Sequence, residues 1–287
     1  MIDPLFIELN SGLLYTCVAI FSLIVGSLLN VVIYRLPLMM EATIKSECRA
    51  LLDRVEEPDS TVNLFFPRSF CPSCKSKLKA WHNIPVLSYL FLRGRCGNCQ
   101  QSISLRYPMI ELLTCLLSVF ASWHFGFNGH LVFALLFIWL LIPMIFIDID
   151  HQLLPDSLTL SLLWIGLIAN TYNLFTPLST AVLSAAGAYL SLWLFIELFY
   201  LVTGKIGMGN GDFKLFAAFG AWFGWTLLPM ILLFSSIVGA VIGVIYLKLQ
   251  QKSNDTPMPF GPYLCVAGLI SLFYGQQIMG WYLGRFL

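Results

Sequence analysis

The chain alternates long apolar runs with polar breaks. The first run, 12–34, carries no charged residue, and it exceeds the roughly 20 apolar residues that a helix needs to cross a bilayer. A polar stretch follows from 35 to 106. Beyond it come apolar segments near 107–125, 131–147, 157–173, 178–202, 213–225, 227–247 and 260–283. The pattern predicts about eight transmembrane helices, of which those at 131–147, 157–173 and 213–225 are short for a span. No internal repeat or low-complexity tract is visible. The spacing of Gly239 and Gly243, like that of Ala185 and Ala188, suits close packing of helices.

Composition adds that lipid is the natural solvent. Apolar residues make up 58% and charged residues 11%, against roughly 45–50% and 25% in ordinary soluble chains. Mean hydropathy is +0.81. One soluble core in 287 residues would not hide so much apolar surface. The fold class expected is therefore an all-α polytopic membrane protein with a small cytoplasmic domain between its first two spans. Its parts are a first transmembrane helix at 12–34, a polar domain at 35–106 and a membrane bundle at 107–283. Asp3 and Glu8 precede the first run, where a cleavable signal would carry positive charge, so no signal peptide is expected.

Net charge is +1, which gives the whole chain no bulk attraction for nucleic acid, and none is expected as a partner. The distribution is uneven. Of 16 basic residues, the stretch 35–106 holds Arg35, Lys45, Arg49, Arg54, Arg68, Lys75, Lys77, Lys79, Arg93, Arg95 and Arg106. The positive-inside rule places this stretch in the cytoplasm and the N-terminus outside. With eight spans, Lys205, Lys214, Lys248 and Lys252 also fall at inner loops or their edges, and Arg285 alone falls outside.

Four of the eight cysteines form two C-x2-C pairs, Cys71 with Cys74 and Cys96 with Cys99, separated by 21 residues. In a reducing compartment this spacing means metal rather than disulfide. Four thiolates make a closed tetrahedral shell, which fits a structural Zn2+ stapling a domain with little core of its own. Cys17, Cys115 and Cys265 lie in apolar runs and read as small core residues.

Acidic residues stand at two places on the edges of apolar runs. Asp148-Ile-Asp150-His-Gln-Leu-Leu-Pro155-Asp156 follows the 131–147 segment, and Gly207-Met-Gly209-Asn-Gly211-Asp212 precedes the 213–225 segment. By the charge rule both lie at the cytoplasmic face, where they can meet. Carboxylates at membrane depth are costly and usually functional. Two that share a site do not both ionise easily, and one stays protonated, which is the division of labour of aspartic proteases. Gly209 and Gly211 permit positive φ or close approach of a substrate strand. Pro155 is placed to break the chain before a helix that Asp156 can cap. Asp150 and His151 read equally well as interfacial polar residues, and for Asp148 and Asp212 the residues alone leave catalysis and ion binding both open. Glu111 and Glu197 lie inside apolar segments.

Taken together these motifs resemble the type IV prepilin peptidase family. Asp148 in D-x-D-x4-P-D and Asp212 in G-x-G-D look like the two halves of its signature. The blocks from Gly26 to Pro37, from Trp81 to Leu90, from Arg93 to Cys99 and from Ile103 to Glu111 resemble its N-terminal and cytoplasmic-loop motifs, in order. The resemblance runs from about 22 to 225 and implies a bifunctional enzyme of the bacterial inner membrane. Such an enzyme cuts the basic leader from type IV prepilins and type II secretion pseudopilins after a glycine, on the cytoplasmic side. It then methylates the new N-terminus from S-adenosylmethionine. The resemblance maps the catalytic pair to Asp148 and Asp212 and the peptidase core to about 131–248, with Gly209, Gly211, Asp150, Pro155 and Asp156 in support. It assigns methyl transfer to the N-terminal part and cytoplasmic loop, where Gly94 is the candidate residue. The competing expectation is a membrane transporter with a zinc-ribbon loop, which would need titratable groups along a path through the bilayer. A zinc protease lacks its H-E-x-x-H helix.

Overall fold

The computed structural model describes residues 11–52, 63–71, 73–77, 80–205, 207–250 and 258–286. Asp3, Glu8, Arg54, Lys79 and Lys252 lie outside the described residues. The described chain is nearly all helical and contains no strand, only two isolated antiparallel bridges. It divides into two compact units, Met1–Phe127 and Asn128–Leu287.

The first unit is built on α1 (Ser11–Leu51) and α3 (Arg106–Phe125), which run antiparallel. A stripe of small and polar residues at four-residue spacing is buried on each helix, Ser22, Gly26 and Asn30 on α1 and Thr114, Ser118 and Ser122 on α3, with Gly26 packed against Thr114. The Asn30 amide donates to the Tyr107 carbonyl at 3.1 Å, and a Cβ on Gly26 would stand 2.8 Å from the Glu111 Cα. Close backbone approach of this kind substitutes for hydrophobic driving force between helices in lipid.

α1 does not stop where the apolar run stops. It continues through Pro37 to Leu51, 41 residues in all, or about 60 Å of helix against a hydrocarbon core of about 30 Å. Strong helix formers carry it on after Tyr34, helped by an exposed Glu41–Lys45 pair at 2.6 Å. The loss of hydropathy there marks a change of solvent and not the end of a helix. Arg35, at that transition, is buried and donates to the carbonyls of Asn63 (2.8 Å) and Pro67 (2.6 Å), tying the loop before the first cysteine pair to α1. A short helix, α2 (Leu87–Phe91), follows a 3-10 turn at Ala80–Asn83. It begins at Val86, which takes φ 58°, rare for a β-branched residue, and whose N–H donates to the buried Glu111 carboxylate at 2.7 Å. Glu111 therefore has a partner inside its own unit.

The second unit holds α4 (Gly129–His151), α5 (Asp156–Thr171), α6 (Leu178–Thr203), α7 (Asn210–Phe223), α8 (Leu228–Gln250) and α9 (Gly261–Phe286). Its centre is α7, buried on nearly every side from Asp212 to Phe223. Phe137 of α4 packs edge-on to Trp222 at 4.7 Å between centroids, and the Trp222 indole donates to the Leu162 carbonyl of α5 at 2.8 Å. Asn170 closes the end of the helix: its amide donates to the Ala221 and Trp222 carbonyls while its oxygen accepts from the N–H groups of Phe175 and Thr176. The small residues Ala185 and Ala188 of α6 are buried, and Gly239 of α8 lies under the Tyr263 ring of α9.

Among the described residues, eight long helices occupy the eight apolar segments, and six of them, α1, α3, α4, α6, α8 and α9, are by length and composition alone sufficient to cross a membrane. At 16 and 14 residues, α5 and α7 reach about 24 and 21 Å, short of a hydrocarbon core. The chain is a multi-pass membrane protein. Of the cysteines expected in cores, Cys265 is buried, Cys115 is half-buried and Cys17 is exposed on α1.

Candidate active site and metal centre

Asp148 sits in the last turn of α4 and is buried. The helix ends just beyond it, where Gln152 takes a left-handed conformation (φ 54°) and its N–H donates back to the Asp148 carbonyl at 2.9 Å. Asp212 is the third residue of α7, also buried, and its carboxylate faces the N–H of the N-cap residue Gly209. That is one half of a capping box, supplied by an aspartate. The two side chains lie close enough for the Asp148 charge to act on Asp212. One oxygen of each, Oδ2 of Asp148 and Oδ1 of Asp212, is buried without a hydrogen-bond partner among the described residues. Cys265, fully buried on α9, lies within reach of both charges.

No motif along the chain points to α9 as part of this site. The N–H of Gly261, the first residue of α9, points at the Asp148 carboxylate, so a helix N-terminus faces the acid. A Cβ at Gly261 would lie 2.6 Å from Asp148 Oδ2 and 3.1 Å from Leu154 Cδ1. Pro259-Phe-Gly-Pro262 marks a helix start in the sequence, but nothing local says what that start would face.

The supporting residues fall differently from expectation. Gly209 is extended (φ −80°), and Gly211 lies inside α7 with no positive φ. The close approach at Gly211 is to the chain itself, since a Cβ there would stand 2.7 Å from Leu154 Cβ. Pro155 takes the N-cap of α5 and is buried; Asp156 is the first helical residue and makes no cap. Both Asp156 oxygens instead accept from Lys214 of α7, at 2.6 and 2.7 Å, which ties the two acidic motifs together. Both partners are partly exposed. A thermal-unfolding double-mutant cycle on Asp156→Asn and Lys214→Met is expected to give a coupling below about 1 kcal/mol. Asp150 is exposed.

In the first unit, Cys71, Cys74, Cys96 and Cys99 bring their four sulfurs within 4.8 Å of one another. The Cys71 and Cys99 sulfurs are 3.9 Å apart, close to the roughly 3.8 Å edge of a tetrahedron with 2.3 Å metal–sulfur bonds. The two knuckles repeat one turn. Cys71 N–H donates to the Ser76 carbonyl and Cys96 N–H to the Gln101 carbonyl, while the next residue after each pair, Lys75 or Gln100, is left-handed and donates back to the first cysteine. The Ser76 side chain foremost, then its backbone N–H and Asn98, lower the Cys74 thiol to about 6, toward the thiolate that a metal takes. The set fits a metal ion. Gly94, just before the second knuckle, has φ 67°, and a Cβ there would meet the Tyr89 hydroxyl oxygen at 2.7 Å, so this turn admits glycine alone without rearrangement.

A multi-pass helical protein that buries two carboxylates from separate helices within electrostatic reach of each other, and carries a four-thiolate cluster in its other unit, belongs by architecture with membrane-embedded enzymes. Residues 20–125 match the model of the bacterial peptidase A24 N-terminal domain, and residues 135–244 that of the type IV leader peptidase family. The chain belongs to the type IV leader peptidase family. It is 61% identical over 275 residues to a prepilin leader peptidase/N-methyltransferase of Legionella pneumophila, covering 96% of each chain. Proteins of the same name from Pseudomonas aeruginosa (52% over 268 residues, 93% of this chain and 92% of the relative) and Dichelobacter nodosus (48% over 266, 91% and 92%) are also similar. No solved structure matches. The family and these names support an enzyme and give the transporter reading no support.

Proposed function

We propose that this chain cuts the leader from type IV prepilins and type II pseudopilins after a glycine, then methylates the new N-terminus. The observation that carries the peptidase half is the pair of buried carboxylates, Asp148 and Asp212, brought together from the ends of α4 and α7. One ionised and one protonated carboxyl make a working acid–base pair. The ionised carboxylate takes a proton from water as its oxygen attacks the scissile carbonyl carbon. The protonated one gives its proton to the carbonyl oxygen. As the tetrahedral carbon collapses, a proton passes to the leaving nitrogen and the C–N bond breaks. In this reading Gly261 orients Asp148 through its N–H, and Gly209, Gly211, Asp150, Pro155 and Asp156 shape the surrounding motif.

A prepilin held in the bilayer by its own apolar helix would present its scissile bond at the membrane edge. The basic residues of 35–106 support putting that edge at the cytoplasmic face of the bacterial inner membrane, with the N-terminus in the periplasm. Methyl transfer falls to the N-terminal unit, with Gly94 shaping the turn beside it. S-adenosylmethionine supplies an electrophilic methyl carried on a sulfonium. No strand is present among the described residues, so the donor would occupy a site other than a strand–glycine-rich-turn–helix unit.

Zn2+ is the ion that four thiolates in this geometry favour, held by Cys71, Cys74, Cys96 and Cys99 to close both knuckles. The double variant Cys71→Ser, Cys96→Ser is expected to lose about one metal ion per chain by elemental analysis, because two oxygens replace half the thiolate shell. Retained metal would remove the four-thiolate site. The function itself is tested by mass spectrometry of a prepilin incubated with purified enzyme and S-adenosylmethionine. The expected product has lost its leader and gained one methyl on the new terminus. An uncut precursor would overturn the reading.

A further inference from the structure

A second feature of the membrane bundle is left unused by the aspartate pair. On α6, Trp193, Glu197 and Tyr200 fall on one face at helical spacing. With Met208, Asn210 and Phe213 they line a cavity of about 260 Å³. Glu197 is the one charged residue in that lining, and it forms no hydrogen bond or ion pair with any described residue. It stands six residues before the end of α6 at Thr203, about 9 Å of helix. Its side chain is exposed, as are those of Trp193 and Tyr200, so the carboxylate lies open to a ligand entering the cavity. Around it are the rings of Trp193, Tyr200 and Phe213, whose faces attract cations. A carboxylate among aromatic faces is the chemistry of a site for an ammonium or guanidinium group.

Position selects the source of that cation. Asn210 and Phe213 bracket Asp212 in the first turn of α7, so the cavity wall and the carboxylate share one helical turn of about 5 Å. A group bound there belongs to a residue a few positions from the bond being cut. We propose that this cavity is a subsite for a lysine or arginine side chain of the peptide substrate, with Glu197 as the counter-charge and Trp193 and Tyr200 as the walls. The proposal rests on the peptidase reading above and adds to it a determinant of specificity.

The test compares cleavage of two prepilins by purified full-length enzyme, one with lysines in its leader and one with those lysines changed to glutamine. Wild type is expected to prefer the lysine leader in kcat/KM by about tenfold. Glu197→Gln is expected to bring that ratio close to one, mainly through KM for the lysine leader, and Glu197→Lys to reverse it in favour of the glutamine leader. A ratio unchanged in Glu197→Gln would overturn the proposal, even if cleavage of both substrates fell together. That outcome would mean that Glu197 serves the fold or holds the ammonium of a lipid headgroup instead. Failure of the peptidase reading looks different, because wild type would then cut neither substrate, and both conclusions would fall.

Discussion

Asparagine at position 148 or 212 is expected to slow leader cleavage by about three orders of magnitude or more, while the protein remains folded. Each substitution keeps the shape of the side chain and removes one member of an acid–base pair, so the remaining carboxyl has no counterpart to exchange protons with. Because the two act as a unit, the double variant should be scarcely slower than either single one. Stability should move the other way or not at all. Both side chains are buried, each with an oxygen that lacks a partner, and an amide in place of a buried ionisable group lightens the desolvation penalty. Single-turnover cleavage and thermal unfolding on the same preparations separate these effects. A pilin supplied already cleaved should still be methylated by both variants, since methyl transfer is assigned to the other unit. Substantial cleavage by either variant would dismiss the two-carboxylate mechanism.

Alanine at Gly261 is expected to cost about a hundredfold in kcat with a smaller change in KM. The added Cβ would come within 2.6 Å of Asp148 Oδ2, closer than such atoms approach, so the carboxylate or the start of α9 must move. A displacement of about 1 Å at a reacting group is worth about that factor. Crowding alone also destabilises, by about 1–3 kcal/mol, so a matched control is needed. Gly268 provides it: on the same helix, its Cβ would meet the Phe219 ring at 2.6 Å, away from either acid. Gly268→Ala should lower the unfolding temperature comparably and leave most of kcat. Equal losses of kcat in both would reduce Gly261 to a packing residue.

The parts legible in the sequence were those written in local periodicity and spacing. The apolar runs placed every long helix, and the C-x2-C pairs drew the thiolate cluster from spacing alone. Hydropathy marks the apolar part of α1 and not its end, because helix propensity outlasts apolarity from Leu38 to Leu51. It also picked out α5 and α7, the two shortest of the eight long helices; α5 exposes Leu160, Trp164 and Ile168 as an apolar stripe, whereas α7 is enclosed by its neighbours. At the site, Asp148 and Asp212 stood out because acids on apolar edges are costly. Gly261 and Lys214 did not, because their importance lies in partners 113 and 58 positions away, which no window along the chain connects. Gly209 and Gly211 misled for a related reason. Glycine signals an unusual backbone or a close neighbour, and at Gly211 the neighbour proved to be Leu154.

The manner in which α7 ends has a physiological consequence. Its last carbonyls are satisfied by Asn170, and the rings of Phe137, Phe175 and Trp222 gather around that end. Hydrolysis demands that solvent wet the opposite end, whereas a hydrated ion advancing past it meets closely packed rings and carbonyls already engaged. Packing of that kind opposes leakage of ions through the bundle.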